Sequence, residues 1–169
     1  MSDTPPPDPG PDPDPARHDH RDCVARAHAA LDAAETGLRP SPARREVLAI
    51  LLESHRALGA YDILRRLDGA GRSAQPPVAY RALAFLQAHG LVHRVERLNA
   101  YVACPRPTGA ESHDATLLVC RDCRLVVETP GRPAAAALAE AAAAAGFGVE
   151  ATTIEAVGLC RDCSEREGA

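Results

Sequence analysis

Four of the six cysteines fall into two matched pairs, Cys120 with Cys123 and Cys160 with Cys163, each pair enclosing Arg-Asp in the tetrapeptide CRDC. A CxxC turn brings two thiolates to one metal ion with bonds of about 2.3 Å, and a second turn completes a tetrahedral set. The spacing therefore points to a structural Zn²⁺ held by Cys120, Cys123, Cys160 and Cys163, stapling a strand region to the C-terminus. The competing reading is a pair of separate redox disulfides. A redox CxxC normally opens a helix in a βα unit and works alone, so the doubled motif favours the metal. Four sulfurs saturate the ion and leave no open position for catalysis.

A second, mixed set lies elsewhere: His93, Cys104, His113 seven residues before Cys120, and Glu128 five after Cys123. Each has a plain explanation by itself: a core or surface imidazole, a small buried thiol, a solvated strand end. Together they would draw two ligands from each half of the chain and cross-brace the halves. One thiolate, two imidazoles and a carboxylate suit Zn²⁺, whereas Fe²⁺ and Mn²⁺ prefer more oxygen and no sulfur. Spacing alone leaves both readings open. A third group, His18, His20 and Cys23, reads as incidental to a helix start.

The elements that must position these residues follow from composition and periodicity. The chain of 169 residues suffices for two small domains and a tail. Residues 1–17 are rich in Pro and Asp with little to bury, which predicts a solvated tail. Apolar positions at helical spacing predict helices from Asp19 to Ala34, from Pro42 toward Gly59 with Ser41 as N-cap, from Ala60 to Leu67, and from the prolines of QPPVAYRALAFLQAHG to Gly90. Val47, Leu48, Leu51 and Leu52 should face inward on the second, Tyr61, Ile63, Leu64 and Leu67 form the apolar set of the third, and Val78, Leu83 and Leu86 should face inward on the fourth. Two short strands about a polar turn, Arg97 to Ala100, then complete a winged helix-turn-helix.

The last third changes character, with strand signals at Leu117 to Val119 and Leu125 to Glu128, an Ala-rich helix from Pro133 to Ala145, and a strand leading to Cys160. The expected fold class is α+β: a winged-helix domain over 18–103, then a small α/β dimerisation domain over 104–165 carrying the Cys₄ zinc site. No apolar run approaches the ~20 residues of a membrane span and no signal peptide is evident, so a cytoplasmic protein without membrane attachment is expected.

Charge is unevenly distributed. Residues 1–37 carry three Arg and eight acids, residues 38–101 ten Arg and five acids, and residues 102–169 six Arg and ten acids. The middle segment is thus the basic part, between two acidic ones. A solvated face is the usual meaning of such a cluster, but on a winged helix it suits a DNA-binding surface. No phosphate-binding Gly loop, nucleophile elbow or HExxH is present. An enzyme is not expected and no catalytic residue is assigned.

The stretches PARREVLAIL, GAYDIL, PPVAYRAL, GLVHRVERLNAYVAC, the first CRDC and IEAVGLCRDC, in that order, resemble the Fur family of metal-dependent bacterial repressors, most closely its zinc-sensing branch. The resemblance runs from about Ala27 to Cys163. It implies a structural zinc on the four paired cysteines and a sensing zinc on His93, Cys104, His113 and Glu128, two Zn²⁺ per chain. It also implies a zinc-responsive repressor of zinc-uptake genes. Such a protein binds an A/T-rich pseudopalindromic operator in double-stranded DNA as a homodimer. Tyr80 and Arg81 would open the recognition helix, with Arg44, Arg45, Arg65 and Arg72 as candidate phosphate contacts.

Three departures stand out: the family's TVYRAL is VAYRAL, the Gly after the first CxxC is Arg124, and the His of EAHGLC is Val157. Alternatives are a sensor of iron, manganese or peroxide, and a zinc-binding interaction module that no longer reads DNA.

Overall fold

A computed structural model describes residues 20–39, 41–69, 75–107, 115–150 and 152–168. The expected N-terminal tail, His18, Arg72 and His113 lie outside the described residues. None of the described helices is long and apolar enough to cross a membrane.

The first half packs four helices against a small sheet. Helix α1 (His20–Ala34) buries Cys23, Ala27 and Leu31 at four-residue spacing, one stripe of a helical period. Helix α2 (Pro42–Leu52) starts where expected, with extended Ser41 before Pro42, although Ser41 makes no side-chain cap. It buries Val47, Leu48, Leu51 and Leu52 but stops at Leu52, short of the expected end near Gly59. The reason is tertiary: the next residues bond to the other half of the molecule. The Ala57 N–H donates to the Arg124 carbonyl and the Val126 N–H to that of His55, both at 2.9 Å.

Strand β1 (Leu58–Gly59) then leads into α3 (Ala60–Gly69). Ile63, Leu64 and Leu67 are buried there, whereas Tyr61, expected among them, is 77% exposed. Helix α4 (Pro76–Ala88) faces inward through Ala79, Ala82, Leu83 and Leu86; Val78 is only half-buried, one position off the inner stripe. Gly90, with φ of 64°, turns the chain into the wing. Strands β2 (Val92–Val95) and β3 (Ala100–Ala103) flank a 3₁₀ turn, Glu96–Leu98, and β1 adds a third strand in the order β1-β3-β2, all antiparallel.

The second half is a sheet in the order β5-β4-β6, from β4 (Ala115–Cys120), β5 (Val126–Pro130) and β6 (Ile154–Gly158). β4 pairs antiparallel with β5 and parallel with β6, the crossover to β6 running through helix α5 (Arg132–Ala144). A final helix, α6 (Arg161–Glu167), was not legible in the sequence.

Alternation along the wing serves two cores at once. Val92 and Ala103 join the helical core, while Val95, Ala100 and Val102 turn the opposite way onto Leu117, Val119 and Val126 of the second sheet. The wing is therefore the shared wall between reader and sheet.

Candidate metal centres and recognition helix

The paired cysteines converge because β4 and β6 run parallel and in register. Cys120, the last residue of β4, lies opposite Gly158, and the Arg121 N–H donates to the Gly158 carbonyl at 2.9 Å. Each strand thus delivers its CRDC at the same edge of the sheet. The four sulfurs lie within 4.8 Å of one another, and no disulfide joins any of the six cysteines. Cys123 and Cys160 Sγ are 3.6 Å apart, close to the ~3.8 Å edge of a tetrahedron with 2.3 Å metal–sulfur bonds. The donor set fits a Zn²⁺-type ion.

The second CRDC does open a helix, α6, as a redox motif would, yet its partner sulfurs are those of the first pair. Burial works against charge on Cys120, but backbone N–H groups of Cys160, Cys123 and Asp122 outweigh it and hold this thiol down to about 6. Asp122 pushes Cys163 the other way, up from the usual thiol range. The Arg166 guanidinium lies 2.7 Å from Cys163 Sγ and 3.1 Å from Asp122. Arg121 pairs with Glu167 at 2.9 Å, so α6 is pinned to the first turn by two ion pairs. From the other half, the Arg56 guanidinium donates to the Cys123 carbonyl at 2.9 Å.

The mixed set also assembles. His93 on β2, Cys104 just past β3 and Glu128 on β5 place ligand atoms within 4.8 Å of one another. His93 Nε2 is 2.9 Å from Glu128 Oε2, and Cys104 Sγ lies 3.6 Å from the same oxygen. Glu128 and Cys104 are buried, and Arg106 approaches the second carboxylate oxygen at 3.8 Å. Burial pushes the Cys104 thiol up, and the charge of Glu128 pushes it further. Nitrogen, sulfur and oxygen donors from both halves thus meet at one point, with Cys104 and Glu128 buried and His93 half-buried, the chemistry of a mixed zinc-type site. His113, the expected fourth ligand, lies outside the described residues.

On the reader, α4 exposes Tyr80 (45%) and Arg81 near its start. The other candidate arginines differ in freedom. Arg65 is 80% exposed and pairs with Asp62 on its own helix. Arg45 pairs with Asp32. Arg44 is held inward, 3.0 Å from the buried Glu35 and 3.6 Å above the Phe85 ring, which ties α1, α2 and α4 together. Arg56, Arg106, Arg166 and Glu155 carry no periodic or motif signal in the sequence, because each meets a partner on another segment of the chain.

A helix-turn-helix reader joined through its wing to a sheet bearing two ligand clusters is the architecture of a metal-dependent transcription regulator. The chain belongs to the Ferric uptake regulator family, whose model matches residues 35–157. Within that family it is similar to the zinc uptake regulation protein of Escherichia coli (strain K12), 38% identical over 137 residues, 79% of this chain and 78% of that protein. The peroxide operon regulator of Bacillus subtilis (strain 168) is 29% identical over 135 residues, 79% of this chain and 89% of that protein. Among solved structures, a zinc uptake regulator complexed with zinc and DNA superposes with a TM-score of 0.77 at 34% identity, covering 90% of this chain and all of that one.

Proposed function

We propose that this protein is a zinc-responsive, DNA-binding repressor of zinc-uptake genes, acting in the cytoplasm as a homodimer on an A/T-rich pseudopalindromic operator. The observation that carries it is the His93, Cys104 and Glu128 cluster, whose donors come from both sides of the wing. Two Zn²⁺ per chain fit the two clusters: a structural ion on Cys120, Cys123, Cys160 and Cys163, and a sensing ion on His93, Cys104, Glu128 and His113. Residues 18–103 would read DNA through Tyr80 and Arg81, and residues 104–165 would dimerise. Exposed Leu118, Leu138, Phe147 and Val157 on the C-terminal half support an apolar partner surface.

A sensing zinc, when bound, supplies bonds to both halves at once and so favours the closed arrangement. Moving a closed state from 1% to 99% occupancy takes about 5.5 kcal/mol of differential binding, within the range one zinc supplies. What the chain contributes is preorganisation. Glu128 already touches both His93 and Cys104, so closure costs little rearrangement of the ligands.

The test is Cys104→Ser. The variant should stay folded and dimeric, keep its structural metal, and lose zinc-dependent binding to an A/T-rich palindromic duplex in a shift assay under buffered free zinc. Zinc-dependent binding retained by the folded variant would refute the sensing role of this cluster. A wild-type response to iron or manganese, and not to low free zinc, would place the chain with the other sensors of its family.

A further inference from the structure

Leu117 in the middle strand of the C-terminal sheet has a carboxylate on each side. It pairs in register with Glu128 of β5 and with Glu155 of β6. Residues paired across strands share a face, so Glu128, Leu117 and Glu155 form one row directed at the wing. Leu117 is buried in the core between wing and sheet, and Glu128 reaches His93 and Cys104. Glu155 makes a separate grip. One of its carboxylate oxygens accepts the backbone N–H of Glu96 at 2.6 Å, and the other accepts that of Arg97 at 3.1 Å.

Those two residues open the 3₁₀ turn at the wing tip, where N–H groups have no partner within the turn. A carboxylate is a strong acceptor there, because charge-assisted hydrogen bonds exceed neutral ones. Position adds to the effect. Glu128 and Glu155 sit on opposite outer strands, about 10 Å apart across the sheet. The apolar packing of Val95, Ala100 and Val102 on the sheet holds the two together without direction, and a polar grip at each edge adds the directional restraint that fixes the wing's angle.

We propose that Glu155 is a positioning residue for DNA binding: a clamp that needs no metal, fixes the wing against the C-terminal sheet, and so sets how much closing free energy the sensing zinc must supply. The inference rests on the reading of His93, Cys104 and Glu128 as the sensing site. Its structural basis can nevertheless be measured without DNA.

The experiment compares full-length wild type with Glu155→Ala and Glu155→Gln, zinc-loaded and after removal of the labile zinc. Amide hydrogen exchange over residues 92–103 reads the clamp, and faster exchange at Glu96 and Arg97 is expected in both metal states. Loss of two charge-assisted hydrogen bonds should weaken zinc-loaded binding to an A/T-rich palindromic duplex by about tenfold. The free-zinc midpoint should rise by up to the same factor, since apparent affinity scales with the competent fraction. Dimerisation and tightly held metal should not change, and Glu155→Gln, which keeps one acceptor oxygen, should fall between. Unchanged exchange overturns the clamp, and faster exchange with a wild-type zinc midpoint overturns the positioning role. If Glu155→Ala does not fold, the same readouts on Glu155→Gln decide. Wild type that binds no DNA would sink the proposed function instead, with exchange alone then judging the clamp.

Discussion

Arg124 holds φ at 61°, a left-handed conformation that L side chains adopt at a cost and glycine adopts freely. The turn after the first CxxC demands it: the Arg124 N–H returns to the Cys120 carbonyl at 3.1 Å, closing the loop that aims Cys123 at the other sulfurs. Its own carbonyl accepts from Ala57, so the strained residue also anchors the reader. The side chain is exposed. Arg124→Gly should therefore stabilise the protein by about 0.5 kcal/mol, the strain relieved being partly offset by a freer unfolded chain. The change would appear as a higher urea midpoint at unchanged slope. Arg124→Val should do the opposite, since a β-branched residue is least at home there.

At the scale of elements, α4 divides its surface between two tasks. Ala79, Ala82, Leu83 and Leu86 hold it on the helical core, and small alanines let it approach α2 closely. Tyr80 and Arg81 stand outside, and Val78 brings no hydroxyl to this end of the helix. On the proposed function, backbone and arginine contacts would then carry more of the phosphate binding. Arg81→Ala should leave the melting temperature within about 1 °C, since an exposed side chain away from any cap or core contributes little to stability. It should weaken operator binding by about 1 kcal/mol and reduce the salt slope by about one if the contact is to phosphate. Shift assays at several salt concentrations separate that outcome from base readout, which relaxes sequence preference instead.

For the whole molecule, the decisive feature is a wing packed on both faces. It closes the helical core with Val92 and Ala103 and meets the second sheet with Val95, Ala100 and Val102. On the proposed reading, zinc bound at His93, Cys104 and Glu128 would act on the recognition helix through this shared wall. The two clusters should respond differently to chelation. Mild chelation should remove only the mixed-site ion and abolish DNA binding with little change in melting. Stripping the tetrathiolate should unfold the C-terminal half, because structural zinc sites carry about 10 kcal/mol or more of apparent binding free energy. Metal content per chain, followed through both steps alongside circular dichroism, checks the order; coincident loss of both ions with unfolding would contradict two separable roles.

What was legible in the sequence was whatever depends on neighbours along the chain. Pro42 and the apolar spacing around Leu48 set α2, and the CRDC repeats announced four sulfurs for one ion, because turn geometry and helical period are local properties. The end of α2 at Leu52 was not legible, nor were α6, the exposure of Tyr61 or the grip of Glu155. The end of α2, the placement of α6 and the grip of Glu155 depend on partners more than 40 residues away in sequence, and the exposure of Tyr61 on which side of α3 the helical core covers. His93, Cys104 and Glu128 stand between these limits: their types suggested a metal, but only the face-to-face packing of two sheets brings an imidazole, a thiol and a carboxylate within reach of one another. Local rules name the donors, and tertiary packing decides which of them meet, since burial and alignment of distant strands are set by the whole core at once.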